Sequence, residues 1–340
     1  MKIYLDAMGG DNAPQAAAEG ALEALQNHPA LTLELAGPLH RIKAEADRVF
    51  AHADAGLNHR LFLTDCPEFI DNCEAPVLAV RRKKGSAIVD GMLKLRDGLA
   101  DAFVSAGSTG AILAGGMFRL GRIPGIERPA LAPLMPNGKG LFLLIDCGAN
   151  VDCRAEWLVQ FGLMGAAYMQ GVQGLPNPRV GLVNNGAEQE KGNNLAKEAY
   201  GLLESSGLNF VGNVEARYIT HDMADVLVCD GFVGNVILKL VEGVAGTLMG
   251  IIKREITADT RGKIGALLAK PAFRRVARAM DYTEVGGAPL LGVRGNVIKA
   301  HGSSNGHALA CAVGQAVRMI ETDVKGKIEK ALVCTERVSE

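Results

Sequence analysis

The chain has 340 residues, of which 48% are apolar, 21% charged and 5% aromatic, with 42 glycines and a net charge of −1. The apolar share is ample for a sizeable core, which excludes wholesale disorder, and the balanced charge gives no overall attraction to nucleic acid. At roughly 150 residues per domain the length fits two lobes or one large α/β domain. We read a single large domain over 1–340, with 244–280 set apart as a helical pair.

Short runs rich in Val, Leu and Ile predict strands at 2–6, 31–37, 61–64, 101–106, 141–147, 179–184 and 225–230. Helical patterns lie between them at 14–27, 39–53, 75–98, 109–120, 155–172 and 192–206. This alternation predicts right-handed βαβ units around a mainly parallel sheet. The opening MKIYLDAMGGD turns polar after five residues and lacks the apolar core of a secretory signal. Trp157 to Pro178 holds no charge but is too polar to span a bilayer, so a buried helix is expected there. The cysteines (66, 73, 147, 153, 229, 311, 334) form no C-x-x-C pair, which predicts small buried hydrophobes in a reducing, cytoplasmic setting.

The glycine excess, about twice the usual share, has no collagen-like period. Instead, predicted strands end in a polar residue and then glycine. The loops are Asp6 to Asp11, Ser105 to Gly110, Asp146 to Asn150, Asn184 to Gly186, Asp230 to Asn235 and His301 to Ser304. In an open α/β sheet the carboxyl ends of the strands face the ligand crevice, and glycine lets backbone N–H groups come close to a ligand. The pattern predicts a cleft walled largely by backbone.

Such loops suit anions. Ser108 stands before an apolar helix and admits two readings, an N-cap or an anion ligand. Lys191 precedes a helix start, where a cation opposes the dipole unless an anion is bound; a solvated surface lysine is the alternative. Asn235 would cap its helix or hydrogen-bond a substrate oxygen. No Walker A loop and no G-x-G-x-x-G occurs, so the anion is smaller than a nucleotide or held differently. Gly302 to Gly306 fits the nucleophile-elbow pattern, but the only later histidine, His307, precedes Asp323, the wrong order for a hydrolase. Asp6, Asp11, Asp146 and Asp230 share no recognisable metal-ligand spacing, and no metal is expected. Residues 244–280 carry eight basic side chains against Glu255 and Asp259, with apolar residues at helical spacing and Pro271 punctuating the second part. This basic amphipathic pair suits an anionic membrane, an acidic protein or a second subunit.

The loops, taken together, resemble one family. DAMGGD at 6–11, RRKKGSA at 81–87, SAGSTGA at 105–111, DCGANVD at 146–152 and NNGAEQEKGN at 184–193 are its signatures, in order. GNVEAR at 212–217, DGFVGNVILKLVEG at 230–243, GGAPLLGV at 286–293 and VIKAHGSS at 297–304 complete the match to the PlsX family of bacterial phosphate acyltransferases. Two positions depart from the family pattern: Ser108 stands for its Asn, and Tyr218 for its Asp.

The resemblance implies an α/β, three-layer Rossmann-like sandwich similar to isocitrate and isopropylmalate dehydrogenases and to phosphotransacetylases, with the helical pair protruding. It implies transfer of a long-chain acyl group from acyl carrier protein to inorganic phosphate, giving acyl-phosphate for phospholipid synthesis, with no cofactor. Lys191 would neutralise phosphate and the developing oxyanion, and Asn235 would hydrogen-bond the acyl oxygen. The phosphate and acyl-phosphate set is Asp6, Gly9, Gly10, Asp11, Gly107, Ser108, Thr109, Gly110, Asn150, Asn185, Gly186, Gly234, His301 and Ser303. Carrier-protein or membrane contact falls to Lys253, Arg254, Lys263, Leu267, Leu268, Arg274, Arg275 and Arg278. The implied partners are acyl carrier protein, a second copy of the chain, the inner face of the cell membrane and the downstream glycerol-3-phosphate acyltransferase, and no nucleic acid. A metal- and NAD-dependent decarboxylating dehydrogenase and a non-catalytic scaffold are the rival expectations.

Overall fold

The computed structural model describes residues 1–280 and 285–336, without the side chains of 277–280 and 334–336, so Arg278 and Cys334 lie outside the described side chains. In chain order the elements begin β1 (Lys2–Asp6), α1 (Gln15–Asn27), β2 (Thr32–Gly37), α2 (Leu39–Val49), α3 (Ala55–Asn58) and β3 (Leu61–Asp65). Next come α4 (Pro76–Arg82), α5 (Ala87–Arg96), β4 (Ala102–Ser105), α6 (Thr109–Gly115), β5 (Ala130–Leu131), β6 (Leu134–Pro136) and β7 (Leu141–Ile145). There follow α7 (Ala155–Val172), β8 (Val180–Asn184), α8 (Asn194–Glu204), β9 (Phe210–Glu215), β10 (Val226–Val228) and α9 (Gly231–Ile256). The chain closes with α10 (Thr260–Met280), β11 (Ala288–Leu291), β12 (Asn296–Lys299), α11 (Gly306–Glu321) and α12 (Val324–Glu336).

The strands form two sheets where the alternation predicts one. The larger runs β3-β2-β1-β4-β12-β11-β5 and the smaller β6-β7-β10-β8-β9. Pairing is parallel except where β11 meets β12 and β5, and where β6 meets β7. Strand alternation sorts the side chains. Ile3 and Leu5 join the same hydrophobic cluster as Leu143 and Ile145 of the other sheet, together with α1, α7 and α11. Tyr4 and Phe103 face the opposite way, onto α5 and α6. Phe142 and Leu144 likewise turn toward the first turns of α9. The result is a pair of sheets around shared central helices, with further helices on both outer faces.

Each of the seven predicted strands forms. The helix expected at 155–172 forms over those residues and is buried on nearly all sides, as its uncharged sequence requires. Four differences stand out. The helix predicted over 75–98 divides into α4 and α5 around the turn Lys83 to Ser86, where Ser86 Oγ donates to Lys83 O at 2.8 Å. The helical pair begins at Gly231, well before 244. Pro271 does not interrupt α10, which runs through it; the backbone bond lost belongs to Leu267, on an exposed stretch open to water. The strands β5, β6, β9, β11 and β12 have no counterpart in the predicted set.

Among the described cysteines Cys66, Cys147 and Cys229 are buried, Cys153 and Cys311 partly so, and Cys73 is exposed; none forms a disulfide.

Candidate active site

The carboxyl ends of both sheets converge on one cleft. On the larger sheet Asp6, 4% exposed, closes β1. Its Oδ2 accepts from Ser105 Oγ at 2.7 Å, and its Oδ1 from Met8 N at 3.0 Å. Gly107 N in turn donates to Ser105 Oγ at 2.9 Å, which ties the loop after β4 to the loop after β1. Burial pushes the Asp6 carboxyl above its ordinary range, against these hydrogen bonds. Gly10 has φ +92, and a Cβ there would stand 2.8 Å from Gly302 O. Only glycine fits that approach, and Asp11 N then donates to Gly302 O at 2.8 Å. Asn12 Nδ2 reaches Ser303 O and Ser304 O at 3.2 and 3.1 Å, so three strand-end loops are laced together.

Ser108 occupies the N-cap position of α6 but makes no side-chain capping bond. Gly9 lies against Gly107 N, and Gly110 packs on Pro76. Thr109 opens α6.

On the smaller sheet Asp146 is fully buried. It accepts from Leu131 N at 2.9 Å, Ala149 N at 3.2 Å, Asn150 N at 2.6 Å and Asn150 Nδ2 at 3.0 Å. Burial raises it to about 6, against those donors. The Asn150 amide also donates to Pro129 O at 2.8 Å, so this residue works inside the fold, bracing the loop. A Cβ on Gly234 would sit 1.9 Å from Asp146 O, which is why α9 can seat directly on that loop. Asp230 caps α9 by accepting from Val233 N at 2.8 Å, and Gly231 N donates to Asn150 O at 2.7 Å.

Asn235 therefore does not cap. It lies in the second turn of α9, exposed, beside Gly148. Lys191 ends the loop that starts at Asn184 and Asn185, and Asn184 Nδ2 donates to its carbonyl at 3.1 Å. Its stem crosses Gly186, and Asn193, two residues on, caps α8 through Ala196 N at 2.9 Å. Among the described residues Lys191 forms no salt bridge. Between α8 and α9, under Asn185 and Asp230, lies a cavity of about 450 Å³ with walls that include Leu182, Leu195, Phe232, Val233 and Val236.

Two lysines here escape sequence reasoning. Lys299, at the end of β12, is partly buried, donates to Ala106 O at 3.2 Å and to Ala300 O, and is pushed down to about 8 by burial and by Lys239. Lys239 lies one turn beyond Asn235, 3.4 Å from His301 Nε2. Burial and the same lysine hold His301 below its ordinary value, while its Nδ1 meets Ser303 Oγ at 2.8 Å. The usable signals were the lysine two residues before His301 and the i, i+4 spacing from Asn235. No group of three His, Cys, Asp or Glu among the described residues is arranged to hold a metal.

The exposed ends of α9 and α10 carry Lys253, Arg254, Lys263, Arg274 and Arg275 on their surface, with Leu267 70% and Leu268 78% exposed. These lie away from the strand-end loops.

A family model described as fatty acid synthesis protein matches residues 1–327. The phosphate acyltransferase of Clostridium acetobutylicum is 48% identical over 332 residues, covering 98% of this chain and 99% of its own. The chain belongs to the PlsX family of phosphate acyltransferases. A second family member, the phosphate acyltransferase of Alkaliphilus oremlandii, is also 48% identical, over 98% of this chain and 97% of its own. Among solved structures, a phosphotransacetylase from Streptococcus pyogenes superposes with a TM-score of 0.59 at 18% identity, covering 94% of each chain. A branched-chain phosphotransacylase from Enterococcus faecalis gives 0.57 at 13% identity, over 95% of this chain and all of the other, which shows a shared fold. The family assignment makes this chain an acyltransferase whose acceptor is phosphate.

Proposed function

We propose that the chain takes a long-chain acyl group from the thioester of acyl carrier protein and gives it to inorganic phosphate, supplying acyl-phosphate for phospholipid synthesis. The observation that carries this reading is the contact between two unlike environments: the polar loop 184–193 that carries Lys191, and an apolar cavity of about 450 Å³ whose walls include Asn184, Asn185 and Asn193. That volume is within the roughly 300–1,000 Å³ usual for small-molecule sites. One environment suits phosphate and the other an alkyl chain.

A phosphate oxygen attacks the thioester carbonyl; the O–C bond forms, the C–S bond breaks, and the proton of hydrogen phosphate goes to the departing sulfur. The thioester is already activated, so no covalent nucleophile is required. Lys191, without an ion-pair partner among the described residues, supplies positive charge to the oxyanion. Asn235 offers an amide donor close to the N-terminal pole of α9. Ser108, Thr109 and the backbone of Gly9, Gly10, Gly107 and Gly110 supply further donors. Asn150 and Gly234 serve the site from behind, by holding α9 on the loop 146–150.

By length and composition α9 could cross a bilayer. Its first turns, however, bury Gly231, Gly234 and Leu238 in the body of the fold, and α10 returns rich in basic side chains. These features support peripheral docking on the inner face of the cell membrane, near the downstream glycerol-3-phosphate acyltransferase, with the rest of the pair available to acyl carrier protein and a second subunit. The likeness to the isocitrate and isopropylmalate dehydrogenases belongs to the same proposal.

Palmitoyl-loaded acyl carrier protein mixed with phosphate and the protein, then trapped with hydroxylamine, tests the reading. Phosphate-dependent palmitoyl hydroxamate is expected, and its absence rejects the donor or the product.

A further inference from the structure

The seam between the two sheets gathers cationic groups from both. Lys299 comes from the larger sheet, and Lys239 from α9, which is seated on the smaller one. Two of the three N–H groups of Lys299 go to the carbonyls of Ala106 and Ala300, and among the described residues it forms no ion pair. Lys239 Nζ stands 3.4 Å from His301 Nε2, two residues along the chain from Lys299, and Lys239 adds to burial in pushing the Lys299 ammonium down. Like charges collected in a half-buried seam are costly unless an anion comes between them.

The acids at the seam give that anion an identity. Glu242 pairs with Lys239 through Oε2 at 2.8 Å, yet its Oε1 is buried with no hydrogen-bond partner among the described residues. Asp6 and Asp11 both act on Lys299 from the end of β1 and the loop after it, and Asp11 acts on His301 as well. An orphaned carboxylate oxygen beside ammonium groups suits a ligand that is anionic and also carries a proton. Hydrogen phosphate meets both demands. Sulfate has no proton at neutral pH and would set its oxygen against the carboxylate.

We propose that Lys239, Lys299 and His301 seat the inorganic phosphate, and that Glu242 Oε1 accepts a hydrogen bond from its P–O–H group and so selects phosphate over sulfate. The seat rests on phosphate being the acyl acceptor. It places the nucleophile one helical turn from Asn235, on the same face of α9.

The test has a binding arm and a kinetic arm. In the first, inorganic phosphate raises the thermal transition of the wild-type protein and sulfate at equal ionic strength does not. Lys239→Met and Lys299→Met abolish the phosphate effect, and Glu242→Gln admits sulfate. In the second, each lysine variant raises the KM for phosphate about 10- to 100-fold while the KM for the acyl donor holds. Lys239 is half exposed, so Lys239→Met decides the matter even where Lys299→Met fails to fold. A raised donor KM with phosphate KM unchanged would assign the lysines to the donor and overturn the seat. A phosphate shift that survives both variants would overturn it too, as would unaltered sulfate exclusion in Glu242→Gln. If the wild type forms no acyl-phosphate the proposed donor chemistry fails, and the binding arm still decides the seat.

Discussion

Replacing Asp146 by Asn tests whether the cleft is held open by one buried carboxylate. Asp146 closes β7 of the smaller sheet, but one of its donors, Leu131 N, belongs to β5 of the larger sheet. Each carboxylate oxygen accepts two N–H bonds: Leu131 N and Ala149 N on Oδ1, Asn150 N and Nδ2 on Oδ2. An amide keeps one oxygen and turns an NH₂ group toward two donors, orphaning them in a site closed to water. Each orphaned buried donor costs about 1–3 kcal/mol, so Asp146→Asn should lose about 2–6 kcal/mol. Urea unfolding followed by circular dichroism reads this as a lower midpoint at similar slope. The wild type adds a second signature. With its folded pKa raised, the carboxyl favours the protonated fold, so stability attributable to it falls as pH rises from 3.8 through about 6. That slope should be missing in the variant. A midpoint within about 0.5 kcal/mol of wild type, the range of an inert surface change, would refute the role given to Asp146.

Lys191→Ala and Asn235→Ala should each lower turnover by roughly 10²–10³ with an unchanged thermal transition; unfolding instead would make either residue structural. If the proposed membrane docking holds, Leu267→Glu combined with Leu268→Glu should release the protein from anionic vesicles in a flotation assay, with the mass read by light scattering unchanged from wild type. Burial works to raise Glu34, but hydrogen bonds from Lys2, Lys94 and Thr64 outweigh it and hold it at about 2. Its contribution is therefore complete above pH 4.5 and lost as pH falls through about 2. Glu34→Gln should cost about 1–3 kcal/mol at neutral pH, a gap that closes on acidification.

Much of the fold was legible because parallel strands buried on both faces write continuous apolar runs, as in KIYLD and LFLLI. The missed strands lack that signal. β5 is two residues long, β6 ends in Pro136, and β9 is interrupted by Gly212 at φ +88. That the strands divide between two sheets is a fact of pairing, and periodicity carries no record of which strand lies beside which. The strand-end glycines announced the cleft, since close backbone approach excludes a Cβ at Gly10 and Gly234. Lys239 and Lys299 stayed hidden because a lysine in sequence reads as solvated; only the meeting of α9 with the loop after β12 gives them a shared neighbour. Asn150 read as a ligand because its inward hydrogen bonds to Asp146 and Pro129 depend on a turn that the sequence does not display.

The single helix α9 begins in the cleft and ends at the exposed tip of the molecule. From Asn235 to its last turn it reaches about 30 Å at 1.5 Å per residue. A rod of that length is a lever: a tilt of roughly 4° at its root displaces the tip by about 2 Å. The same geometry runs in reverse, so whatever grips the tip exerts torque on Asn235 and Lys239, and the proposed attachment at one end is mechanically continuous with the proposed site at the other.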